Sequence, residues 1–88
     1  MKLKEGFVLH ETGGEFMMVA TGDAAKSFNG LVRNNQTSNF ILTQLLEDTT
    51  EKDIVDRMAS TYDAPREVLE KDVHDVIMKL KEAGFIDE

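Results

Sequence analysis

Between Pro65 and Gly84 the apolar residues Val68, Leu69, Val73, Val76, Ile77, Leu80 and Ala83 recur at the i, i+3, i+4, i+7 spacing of an amphipathic helix. No other stretch limits the fold as strongly. At about 100° per residue these positions fill an arc of roughly 180°, wider than the stripe of about 100° that one core-facing helix needs. The spacing predicts a helix that covers a core with part of its apolar face and turns the flank toward something else. The competing reading is a small domain that wraps the whole arc. Pro65 suits the first helical position, where a missing N–H is no loss, and Gly84 suits the C′ position just past the end. Phe85 and Ile86 can then fold back onto the core.

Two shorter helices precede it. Thr37 can cap a helix whose apolar face is Phe40, Ile41, Leu42 and Leu45. Thr50 with Asp53 resembles a capping pair, opening a helix over residues 51–61 with Ile54, Val55, Met58 and Tyr62 inward. Before Gln36 the pattern is that of strands. Residues 7–11 and 15–20 are rich in β-formers, and Thr12-Gly13-Gly14 between them reads as a hairpin turn. Alternation puts Phe7 and Leu9 on one face of the first strand, and Phe16, Met18 and Ala20 on one face of the second. Residues 21–27 form a polar connection, Asn29-Gly30 is a turn dipeptide, and residues 30–34 read as a third, short strand. The polar residues Arg33, Asn34 and Asn35 suit an exposed sheet edge, where charge discourages indiscriminate pairing. The order is three strands followed by three helices, an α+β arrangement.

Eighty-eight residues make one domain. With no cysteine, neither disulfides nor a thiolate metal site can staple it. There is no apolar signal-like start and no run of about 18 apolar residues, so a cytoplasmic location is expected. The net charge of −7 is unevenly placed. Up to Gln36, Lys2, Lys4, Lys26 and Arg33 balance Glu5, Glu11, Glu15 and Asp23, so the whole excess falls on the helical half. That half repels a phosphate backbone. A winged-helix DNA-binding regulator needs a cationic recognition helix, yet on the second helix Lys52 and Arg57 are outnumbered by Glu51, Asp53 and Asp56. The residues for catalysis are equally thin. His10 and His74 are the only imidazoles, and Glu70 one turn before His74 does not complete a metal site. Ser27, Ser38 and Ser60 lack a nucleophile elbow, and Gly13-Gly14 is too short to cradle phosphate. No enzyme activity, cofactor or metal is expected.

With its elements placed, the chain resembles the PqqD family over nearly its whole length. The resemblance is carried by Phe28-Asn29-Gly30-Leu31-Val32-Arg33-Asn34-Asn35-Gln36-Thr37, Leu45-Leu46-Glu47, Thr49-Thr50-Glu51, Ile54-Val55, Tyr62-Asp63, Asp72-Val73 and Leu80-Lys81-Glu82-Ala83-Gly84-Phe85-Ile86. It departs from the commoner family pattern at Asn35, Ser38 and Asn39. The family is named for pyrroloquinoline quinone biosynthesis protein D and includes the RiPP recognition elements, peptide-binding domains used in making ribosomally produced, modified peptides. The resemblance implies a winged helix-turn-helix-like domain, a three-stranded antiparallel sheet against a three-helix bundle. It also implies a non-catalytic chaperone that captures the leader segment of a precursor peptide and presents it to a modifying enzyme, often a radical S-adenosylmethionine (radical SAM) enzyme. The alternatives are the winged-helix DNA-binding regulator and a structural subunit that docks on an enzyme without touching peptide. In the family the leader adds to the third strand and lies between it and the third helix. Carried onto this chain, the peptide-binding residues are Gly30, Leu31, Val32, Arg33 and Asn34, with Val68, Asp72, Val73, Val76 and Ile77 opposite. Arg33 and Asp72 would be rim charges that set register, and each apolar residue has plain core packing as its competing role.

Overall fold

A computed structural model describes residues 1–22 and 31–87. Its elements run β1 (Lys2–Leu3), β2 (Phe7–Thr12), β3 (Glu15–Ala20), β4 (Leu31–Asn34), α1 (Gln36–Gln44), α2 (Glu51–Thr61), α3 (Arg66–Glu82) and β5 (Ile86–Asp87). The α+β, winged helix-turn-helix-like architecture expected from the sequence is the one observed. The sheet β2-β3-β4 is antiparallel throughout. Gly13 and Gly14 both have positive φ (58° and 82°), and Thr12 pairs with Glu15. This is the two-residue hairpin loop that only glycine-like residues enter cheaply. Along β3 the alternation is as predicted, with Met18 wholly buried and Phe7 and Leu9 of β2 packed against the same core.

The core lies between this sheet and the helices. It takes Ile41, Leu42 and Leu45 from α1 and its end, Ile54, Val55 and Met58 from α2, and Leu69, Val73, Ile77 and Leu80 from α3. Two aromatic contacts extend it, Phe7 with Phe85 (4.9 Å between centroids) and Phe40 with Tyr62 (5.6 Å, edge to face). Gly84, at φ 79°, closes α3 as anticipated. Its N–H donates to the Lys81 carbonyl and the Phe85 N–H to the Leu80 carbonyl, the paired bonds of a Schellman motif. That reversal drops Phe85 and Ile86 into the core.

Three differences from the sequence reading have local causes. Asn35, not Thr37, caps α1, its side-chain oxygen accepting the Ser38 N–H at 2.7 Å. Pro65 is the N-cap residue of α3 and helical geometry begins at Arg66. A second, two-stranded ladder joins Lys2 to Asp87 and Leu3 to Ile86, which two-residue segments are too short to announce by periodicity. The polar connection assigned to residues 21–27 falls largely outside the described residues, and so does the Asn29-Gly30 turn. The third strand is observed as β4 from Leu31, while Gly30 lies outside the described residues. Among the described residues no helix is long and apolar enough to cross a membrane.

Candidate functional site: an open strand edge beside a helix flank

Strand β4 pairs with β3 through Phe16↔Asn34, Met17↔Arg33, Met18↔Val32 and Val19↔Leu31. It stands at the end of the strand order, so its far side carries no partner strand among the described residues. In an antiparallel ladder alternate residues turn both N–H and C=O outward. The β4 edge is therefore a row of backbone donors and acceptors that another strand can complete.

The chain passes from β4 into α1 through Asn35 alone. The first turn of α1 is thus fixed to the end of the edge strand, and a cleft of about 320 Å³ opens between that turn and α3. Asn35, Thr37 and Ser38 line one wall, and Asp72, Asp75, Val76 and Lys79 line the other. Val76 is half-buried and packs against the core from the cleft side.

The expected division of the α3 arc between core and flank is what the burial shows. Leu69, Val73, Ile77 and Leu80 are buried, whereas Val68 is 49% exposed, Asp72 is exposed and Val76 is intermediate. Among the residues expected to touch a guest, Asp72 and Val76 line the cleft and Val68 lies on the same helix row. Val73 and Ile77 are fully buried in the core. Leu31 and Val32 are placed on the edge strand by their backbone. Arg33 is exposed and sits opposite Met17. It is therefore on the face away from buried Met18 and does not line the cleft. Asn34 is half-buried and its amide nitrogen is shut from solvent with no hydrogen-bond partner.

Sequence reasoning missed Asn35, Thr37, Ser38, Asp75 and Lys79. The signal for the first three was the absence of any loop between strand and helix. Asp75 stands three residues after Asp72 and Lys79 three after Val76, spacings that put them on one face of the helix.

Elsewhere the ionisable groups make surface contacts. His74 Nδ1 lies 3.3 Å from both Glu51 carboxylate oxygens, and His10 Nε2 lies 2.7 Å from the Thr12 hydroxyl. Among the described residues no three His, Cys, Asp or Glu side chains are grouped as a metal ion needs. On α2, the helix that a DNA-binding regulator would use for recognition, Lys52 is paired with Asp56 at 3.1 Å and Arg57 donates to Gln44 at 2.5 Å.

The family described as "Coenzyme PQQ synthesis protein D (PqqD)" matches residues 5–86. Among curated proteins none matches in sequence. Two solved structures share the fold. One is described as "TbiB1 in Complex with the TbiA(beta) Leader Peptide", with TM-score 0.77, 18% identity, and coverage of 99% of this chain and 95% of that one. The other is described as "Lasso peptide synthetase B1 complexed with the leader peptide", with TM-score 0.72, 20% identity, and coverage of 96% and 93%.

Proposed function

Since the chain belongs to the PqqD family, we propose that it is a non-catalytic, cytoplasmic peptide carrier. It holds the leader segment of a precursor peptide as an added strand on β4 and presents it to a modifying enzyme, with a radical SAM enzyme as one class of partner. The observation that carries this reading is the adjacency of the β4 edge, open among the described residues, to the α3 cleft. Two proteins of the same fold, each described with a leader peptide, support it.

The energetics explain why edge and cleft are both needed. Four or five main-chain hydrogen bonds contribute roughly 0.5–1.5 kcal/mol each. Ordering a disordered peptide costs on the order of 2–5 kcal/mol or more, and lost translational and rotational freedom costs further. Backbone pairing is therefore close to break-even. One to three apolar anchors, each contributing about 1.5–3 kcal/mol when fully buried, tip the balance. In this reading Val76 receives one and Val68 another.

The test uses the N-terminal segment of a short reading frame encoded beside this chain's gene. On titration, amide NMR signals of β4 and of residues 68–80 shift while those of residues 7–19 stay comparatively still. Shifts confined to β2 and β3 would move the guest to the opposite sheet edge. A folded Val76→Lys variant loses binding by about tenfold or more, since it sets a charge where an apolar anchor sits. Unchanged affinity would place the site elsewhere.

A further inference from the structure

The cleft wall also specifies what side chains the guest carries, an inference that rests on the strand-addition reading above. Val68, Asp72 and Val76 stand at steps of four on α3. At 1.5 Å per residue each step advances about 6 Å along the axis, and at about 100° per residue it swings the row by roughly 40°. The row thus turns from solvent toward the core. Val68 and Asp72 are exposed, Val76 is half-buried, and the next member, Leu80, is buried. In an extended guest, side chains on one face recur every second residue, about 6.7 Å apart. Three such side chains span about 13 Å, against about 12 Å from Val68 to Val76. In axial rise, helix row and guest strand match over three contacts.

The middle contact is a carboxylate. Asp72 and its cleft neighbour Asp75 form no ion pair or hydrogen bond with any described residue, whereas Asp56 on α2 is held by Arg66 and Lys52, and Glu70 on α3 by Arg66. Lys79, the cation of the cleft wall, stands seven residues from Asp72, about 10 Å along the axis. The start of α1 adds partial positive charge at the facing wall. The wall is therefore polar along its length, anionic at Asp72 and Asp75 and cationic at Lys79. We propose that the guest carries an apolar–x–cation–x–apolar pattern, its Lys or Arg set against Asp72 and its two apolar side chains against Val68 and Val76.

A random 12-residue peptide library displayed on yeast, selected on the whole chain at low salt, tests this. The expected result is enrichment of Lys or Arg with apolar residues two positions to either side, in peptides that shift the β4 and α3 amides. A Lys→Glu change in a selected peptide weakens binding about tenfold or more, since like charges face each other. The Asp72→Lys variant reverses the preference and recovers the Glu-bearing peptide. Enriched peptides that shift β4 and α3 but show no preference for a cation, or no recovery on the charge swap, would overturn this inference and leave strand addition standing. A selection yielding no peptide that shifts those amides would overturn strand addition, and the inference with it.

Discussion

Asn35 ends the edge strand and starts a helix with one side chain. Its Oδ1 accepts the Ser38 N–H at 2.7 Å, and its carbonyl accepts the Asn39 N–H at 2.9 Å. The apolar period of Phe40, Ile41 and Leu45 settles which face of α1 is inward but not where the helix begins. Asn35 and Thr37 are both capable caps. What decides is the sheet: Asn34 is spent opposite Phe16, so the helix starts at the next residue. Asn35→Ala is therefore expected to cost about 1 kcal/mol, the usual loss for a cap. Thr37→Ala costs under about 0.5 kcal/mol, as a surface change away from such a feature. Urea denaturation of both variants measures the difference, and equal losses would mean that the cap is shared. The same blindness applies to Val73 and Val76. Both satisfy a 3.6-residue period, and only the packed sheet and α2 determine that the first is core and the second is cleft.

At the scale of elements, the helical period of α3 foretold that its arc was too wide for one buried face, and that division is what the structure contains. Its limits were legible too, because Pro65 and Gly84 are chemically suited to the ends. The ion network that ties α3 to α2 was not legible, since i,i+4 pairs can be counted from a sequence and cross-helix pairs cannot. Arg66 donates to Asp56 at 2.6 Å across the interface and to Glu70 at 3.2 Å on its own helix, and Lys52 reaches Asp56 from one turn away. Hydrogen bonds from Arg66 and then Lys52 hold the Asp56 carboxyl below its ordinary 3.8, and Asp56 in turn raises Arg66. A carboxyl whose folded-state pKa is depressed stabilises the fold above its unfolded value and ceases to do so as pH falls through the folded one. The heat-stability advantage of the native chain over Asp56→Asn is thus present at pH 7, declines only below about 3.8 and closes further down. Because the pair is exposed, added salt narrows the gap at neutral pH. Thermal melts from pH 7 to pH 2 check it, and a gap that widened in acid would reject the ion network as its source.

For the molecule as a whole, the strand-then-helix order and its domain class could be read directly from the switch in apolar period near Gln36. The closure of the chain on itself could not, because it rests on two-residue strands. Leu3 is nearly fully buried, donates its N–H to the Leu45 carbonyl at 2.8 Å and pairs with Ile86. Lys4 donates to the Phe85 carbonyl at 2.9 Å. Residues at the start of the sequence thereby lock the end of α1, two turns beyond the cleft, and the turn after α3, which follows the cleft residue Lys79 by about one turn. A domain of this length buries a modest share of its surface, and total stabilities of about 5–15 kcal/mol are usual for globular domains. Leu3→Ala leaves a cavity under the β1–β5 ladder and is expected to remove about 2–4 kcal/mol, within the range for buried leucines. Because Asn35 and Asp72 lie well before these two helix ends, the remaining folded fraction keeps that part of the cleft, and amide signals of residues 68–76 stay at their native positions below the melting range. A urea midpoint shift equivalent to under about 0.5 kcal/mol, the size of an ordinary surface substitution, would show that the terminal ladder is decoration and that the sheet and three helices hold the fold unaided.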